Sequence, residues 1–327
     1  MAAGEPVLWS LYVYAPNKGA PIFFALAYAL SAALHIWQCY RYRSWRLTPL
    51  YPLCGIIFSL GYAFREYGAH NYLYEDENTQ VLILFVLSQV FVYICPPLLE
   101  LANYHILARV FYYVPYLAPL SPDRVLSTFG ALMALVELLN ALGVSLSSNP
   151  SSSASQQDLG SRLTIAALVM QLLAIAILVA MAGLFHRRFS KAKIASRSQA
   201  VSVPLRTLYI SMALILIRCI YRLIEHTGST SIDIDDMDAL MALTPVLRYE
   251  WFFYVFEAGL MLVNCGIWNL WHPGRFLPRS YLVHLDRGGN EVLGEEMKDE
   301  RGAGRKVLCV VSFGILCRRK KAVPLTG

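Results

Sequence analysis

Two stretches of this chain place ionisable groups inside otherwise apolar runs. The first reads Ile217-Arg218-Cys219-Ile220-Tyr221-Arg222-Leu223-Ile224-Glu225. Arg218, Arg222 and Glu225 stand at i, i+4 and i+7, which sets them on one face of a helix. The second repeats that spacing with Glu250, Tyr254 and Glu257. Carboxylates held in an apolar segment can receive a cationic amine or a proton, and guanidiniums beside them can pair with them. If the two runs are antiparallel helices joined at one end, each seven-residue step is about 10 Å of rise. Arg218 and Glu257 then reach the same depth and are expected to pair, with Arg222 between Glu250 and Glu257.

Other polar residues sit in apolar runs at comparable depth. Arg65 and Glu66 lie near one end of theirs, Glu137 and Asn140 near the middle of another, and Gln171 in a fifth. Together they point to a polar cavity in the outer half of a helix bundle. His35, Glu100, Asn103, His105 and Arg109 are expected nearer the inner end. Two uses stay open for these groups, pairing that merely holds helices together and contact with a translocated substrate.

The elements that must carry these residues are membrane helices. Hydrophobic residues make up 57% of 327 and charged residues 15%, with mean hydropathy +0.47. A water-soluble domain of this size is less apolar, so lipid is the expected solvent. Seven segments can cross a hydrocarbon layer of about 30 Å, near 20–40, 49–69, 80–110, 125–146, 163–185, 204–225 and 250–271. The third is long and is expected to tilt, to kink at Pro96-Pro97, or to run past the interface. The connector 147–157 is Ser-rich and reads as flexible.

Basic residues concentrate in the connections 41–48 and 186–203 and after residue 272, whereas 70–79 and 226–249 are acidic. By the bias of basic loops toward the cytosol, the N-terminus is outside and the C-terminus inside. The net charge of +6 is therefore a topology signal rather than a nucleic-acid footprint. The expected organisation is an extracellular segment 1–19, an all-α seven-helix membrane domain 20–271, and a basic, unstructured cytosolic tail 272–327. Within the tail, Val307–Cys317 is too short to span and has a second reading as a leaflet contact. Five of the seven cysteines lie in spans and two in the tail, so no disulfide framework is expected.

In their order along the chain, several motifs resemble the fungal RTA-like family, also called the lipid-translocating exporter family. They are Tyr12-x-Tyr14-x-Pro16, His35, Gly61-Tyr62-x-x-Arg65, the Pro96, Tyr104 and Arg109 pattern, Gln171, Arg218-x-x-Tyr221-Arg222-x-x-Glu225-x-x-Gly228, Glu250, Tyr254-Val255-Phe256-Glu257, and Asn269-x-x-His272-Pro273-Gly274. The resemblance covers roughly 12–275. It departs in span four, where the family's Asp and Gln correspond to Met133 and Asn140 and where Glu137 offers a carboxylate one turn away. The family's span-seven Asp is Glu257, and Glu100 replaces a small residue.

The resemblance implies a seven-span protein that exports or translocates amphipathic lipids, sphingoid long-chain bases among them, or lipid-like toxins. The translocation residues it implies, with those read from the spans, are Arg65, Glu137, Asn140, Gln171, Arg218, Tyr221, Arg222, Glu225, Glu250, Tyr254 and Glu257. Membrane lipids and an amphipathic small molecule are the expected partners, no cofactor or metal is expected, and the plasma membrane is the expected site. A seven-span sensor or regulator of lipid asymmetry and a porphyrin transporter are the alternatives. A membrane zinc hydrolase is disfavoured because no His-x-x-x-His or His-Glu-x-x-His pair occurs.

Overall fold

The computed structural model describes residues 5–73, 79–147, 154–192, 198–227 and 236–294. Six long helices come first: α1 Ala20–Tyr42, α2 Leu50–His70, α3 Thr79–Tyr113, α4 Pro122–Ser147, α5 Ala154–Lys191 and α6 Ser198–Thr227. The short turns α7 Met237–Met241 and α8 Pro245–Arg248 follow. A last rod is built from α9 Glu250–Phe253, a π-helical turn Tyr254–Gly259 and α10 Leu260–Leu270. Neighbours in sequence pack side by side from α1 to α6, and α10 closes the ring between α6 and α1. Helix α3 also packs on α6, across the bundle.

The distribution of polarity is that of a protein in lipid. On α1 the exposed stripe is Ile22, Leu26, Leu30, Leu34 and Trp37, with Leu26 66% exposed. The opposite face buries Ser31, His35 and Gln38. Apolar residues outward and polar residues inward reverse the usual arrangement in water. Among the described residues, six helices are long and apolar enough to cross a membrane, including the α9–α10 rod. Helix α2 has the length of a span, 21 residues, but Arg65, Glu66 and three tyrosines lower its hydropathy. The chain is an integral, multi-pass, all-α membrane protein.

Small residues let the helices approach closely, as expected where lipid supplies no hydrophobic drive for association. A Cβ on Gly55 would lie 2.9 Å from the Ala32 Cβ, which brings α1 against α2. A Cβ on Gly143 would meet the Thr164 backbone nitrogen at 2.7 Å and the Gly160 carbonyl at 2.8 Å, joining α4 to α5.

Several expectations need correction. Helix α3 is one continuous helix of 35 residues, with Pro96 and Pro97 inside it. Helix α5 already begins at Ala154, within the stretch expected to be a flexible connector; residues 148–153 lie outside the described residues. The last span is not a plain α-helix, because Tyr254–Gly259 is π-helical. The Tyr28 hydroxyl donates to the Ala258 carbonyl in that turn at 2.8 Å, which satisfies a backbone acceptor that lipid could not.

The segment after residue 271 also begins with structure. It continues as a 3-10 turn, Pro273–Arg275, and an antiparallel hairpin, β1 Val283–Leu285 with β2 Glu291–Leu293. Buried Arg109 of α3 fixes it, donating to the Ser280 carbonyl at 2.9 Å and the Val283 carbonyl at 3.3 Å. Val307–Cys317 lies outside the described residues.

Gly143→Leu is expected to destabilise the protein by about 1–3 kcal/mol through overpacking, because backbone atoms of α5 occupy the space. Gly183→Leu, with nothing within 4 Å of its added Cβ, is expected to leave stability near wild type. Thermal unfolding of the two variants in detergent makes the comparison.

Candidate functional site

The interior polar groups form a column rather than an open chamber. At one end Arg65 of α2 is buried beneath the N-terminal segment. Its Nη2 lies 3.2 Å from Glu250 Oε1 and 3.1 Å from the Tyr14 hydroxyl, and its Nε is 3.4 Å from the Tyr254 hydroxyl. The guanidinium carbon lies 4.1 Å from the centre of the Phe253 ring and 4.8 Å from that of Tyr12. A planar guanidinium suits this position because it can hydrogen-bond at its edge and stack on its face. Glu250 is further fixed by the Asn17 backbone N–H at 2.8 Å. Burial pushes the Tyr14 phenol above its usual range, opposed by the nearby Arg65 charge, so Tyr14 keeps its proton.

Deeper in the bundle, Arg218 Nε donates to Glu257 Oε1 at 2.7 Å, and the Glu257 side chain is fully buried. The pair expected from helical spacing is present. Glu257 belongs to the π-helical turn, and its Oε2 has no hydrogen-bond partner among the described residues. One turn nearer the Arg65 end, Arg222 pairs with Glu225 of its own helix at 2.5 Å and contacts His226 Nε2 at 3.1 Å. The Tyr93 ring of α3 lies 4.2 Å from the Arg222 guanidinium carbon. Arg222 was expected between Glu250 and Glu257. The i, i+3 geometry of its own helix supplies a nearer carboxylate.

Below Arg218 the column passes to α3 and α5. Glu100 is fully buried, accepts from Gln171 Nε2 at 2.8 Å, and accepts from the Tyr104 hydroxyl one turn along α3. It makes no salt bridge among the described residues, although Arg218 and Glu137 lie within electrostatic reach. Below it, Asn103 donates to Ser211 Oγ of α6 at 2.8 Å and accepts from the Tyr51 hydroxyl of α2 at 3.2 Å. From Glu250 down to Glu257, and from Arg218 down to Ser211, each step is seven residues. The column is therefore about 20 Å long, two thirds of a hydrocarbon layer.

Not every residue singled out from the sequence joins it. Tyr221 is buried but stacks on Phe256 with ring centres 5.6 Å apart. Glu137 and Asn140 are half-buried on α4 and make no hydrogen bond or ion pair among the described residues. Arg218 and Arg222 are within electrostatic reach of Glu137. Glu100, expected near the inner end, sits mid-bundle level with Gln171, because α3 continues thirteen residues beyond it to Tyr113. Its signal in the sequence was a lone carboxylate after Pro96-Pro97 with a tyrosine one turn on. Tyr14 was marked only as part of the Tyr12-x-Tyr14-x-Pro16 motif, and Tyr93 gave no signal, since tyrosines in such chains usually mark interfaces.

A sequence model described as RTA1 like protein matches residues 52–280. The chain belongs to the RTA1-like family. A protein of Leptosphaeria maculans named "Lipid-translocating exporter-like protein RTA1" is 52% identical over 318 residues, 97% of this chain and 61% of its own length. The chain thus spans about three fifths of that relative. A protein of the same name from Ajellomyces capsulatus is 28% identical over 82% of each chain. A "Probable lipid transporter atnI" of Emericella nidulans is 24% identical over 85% of this chain and 72% of its own length. No solved structure matches. The RTA1-like match runs from near the start of α2 to just before the hairpin, and so holds every member of the column except Tyr12, Tyr14, Asn17 and Tyr51.

Arg65→Gln is expected to lower stability by about 1–3 kcal/mol, discounted from a fully buried pair because Glu250 keeps some access to water. Arg65→Lys keeps the charge but loses the fork and the stacked face. It is expected to recover less than half of the loss in melting temperature, followed by intrinsic fluorescence in detergent.

Proposed function

We propose that this RTA1-like protein moves an amphipathic lipid with a cationic headgroup, such as a sphingoid long-chain base, between leaflets. In this reading the bundle crosses the membrane seven times, with α2 as a span, the N-terminus outside and the hairpin in the cytosol. The plasma membrane is the proposed location. The names of the relatives support lipid handling, and the loop charges support the orientation.

The observation that carries the proposal is the state of the buried carboxylates. Glu257 uses one oxygen on Arg218 and leaves the other unpartnered. Glu100 is bonded only to neutral donors. A protein built only for stability gains little from such groups, since apolar packing replaces buried ion pairs at no loss. An ammonium headgroup entering the column meets Glu225, Glu257 and Glu100 in turn, while its tail remains among acyl chains. Arg218 pairs with Glu257 through one oxygen and Arg222 pairs with Glu225, while Glu100 has no arginine partner among the described residues. Glu137, half-buried near both arginines, lies on the α4 wall where a headgroup would enter. Arg65, Glu250, Tyr254 and Tyr14 form a closed cap at the outer end, which must open for release. Glu100 suits proton exchange, because a carboxylate without a cationic partner in an apolar setting changes charge with its protonation. The chain acts as a transporter rather than as an enzyme.

Vesicles holding the purified protein and a labelled long-chain base test this. Glu257→Gln and Glu100→Gln are each expected to slow transbilayer movement at least tenfold, an effect of about 1.4 kcal/mol or more on the barrier. Asp158→Asn, in the exposed pair with Arg162, is expected to leave the rate unchanged. Equal rates in all three folded variants would remove the column from the mechanism.

A further inference from the structure

At the end of the bundle opposite Arg65 and Glu250, a cavity of about 740 Å³ opens between the α1–α2 turn and the segment leading into the hairpin. We infer that it is a binding site for a phosphate-bearing headgroup, with Arg43, Arg46 and Arg279 as its ligands. All three arginines line it, no carboxylate does, and none of the three forms an ion pair among the described residues. The three arginines are exposed residues that line one concave space, and an anion there would offset their like charges. Arginine's planar fork matches phosphate oxygens in pairs.

Both walls are held in place. Arg43 caps α1 in the left-handed conformation, φ 52°, so the chain reverses sharply there. The turn after it is hydrogen-bonded: Ser44 N donates to the Cys39 carbonyl at 3.0 Å and Thr48 N to the Ser44 carbonyl at 2.9 Å. Arg43 and Arg46 therefore project from a fixed turn. Arg279 sits beside Ser280, the residue whose carbonyl is gripped by buried Arg109, and Arg109 itself reaches the cavity floor. Buried Leu47 and Leu277 complete the floor.

The depth fits a lipid headgroup. Tyr40 and Trp45, with ring centres 5.2 Å apart, are 68% and 40% exposed beside the pocket. Exposed aromatics of this kind sit at headgroup level. A phosphate held by Arg43, Arg46 and Arg279 would then lie in the plane of the adjacent leaflet, with its acyl chains against α1. The site is separate from the polar column, and it binds an anion whereas the column's carboxylates suit a cation.

The test uses the full chain in phosphatidylcholine nanodiscs, with and without phosphatidic acid or a phosphoinositide. Retained lipid is measured by native mass spectrometry and stability by thermal unfolding. The triple variant Arg43→Gln, Arg46→Gln, Arg279→Gln is expected to lose at least about tenfold in anionic-lipid retention, because it removes the charge-assisted hydrogen bonds to phosphate. Arg187→Gln, Arg188→Gln, Lys191→Gln removes the same charge from the end of α5 and is expected to retain the lipid. Equal loss in both triple variants means generic attraction of basic loops and overturns the site, as does loss in neither. Unchanged circular dichroism of the first triple variant separates lost ligands from lost fold. Inorganic phosphate and a soluble inositol phosphate form the remaining arms. Displacement of the lipid by either one, only in the chain with the three arginines intact, supports the site, and stabilisation by the soluble forms alone identifies the ligand as a free phosphate ester.

Discussion

The Arg218–Glu257 contact is the constraint around which the bundle is organised. Both groups are buried, and in a low-dielectric interior neither charge is tolerable without the other. Their pairing fixes the rotation of α6 and of the closing rod about their axes, and it fixes the relative depth of the two. With those set, Arg222 is turned toward Tyr93 of α3, and Ser211, two turns below, meets Asn103. On the rod, Glu250 is carried two turns upward to Arg65 of α2. One ion pair thus sets the register of α6, the closing rod, α2 and α3, four of the five helical elements that contribute to the column.

The π-helical turn matters for the same reason. It widens the rod where Tyr254 and Glu257 sit, and both side chains reach inward, Tyr254 to Arg65 and Glu257 to Arg218. The freed backbone is supported by Tyr28 from α1. Widened turns of this kind are frequent at functional positions. Here the turn holds the carboxylate whose second oxygen remains without a partner. The pairs at the Arg65 end are fixed by several contacts each, whereas the mid-bundle carboxylate keeps spare acceptor capacity.

Much of this was legible in the chain. Apolar run lengths located the long helices, and the i, i+4, i+7 spacing of two charged runs was enough to pair Arg218 with Glu257. What spacing could not supply was the partner of a residue on a distant helix. Arg65 and Glu250 are separated by 185 positions, and no periodicity links them. Position along α3 alone puts Glu100 toward one end, whereas its level in the bundle is set by Gln171 of α5, a partner that spacing does not reveal. The hairpin was missed because its strands are three residues each and depend on Arg109, a tertiary support that a short polar sequence does not advertise. Glu137, which composition marked as clearly as Glu257, lacks a partner because α4 meets the column only at its edge.

The central claim is most directly tested by a double-mutant cycle on Arg218 and Glu257. Each single change to glutamine leaves an uncompensated buried charge and is predicted to cost about 3–5 kcal/mol in stability. The double change removes both charges and is predicted to cost less than the worse single, with a coupling energy above about 2 kcal/mol. Additive costs, with the double variant the least stable of the three, would contradict the account, because the two side chains would then not depend on one another.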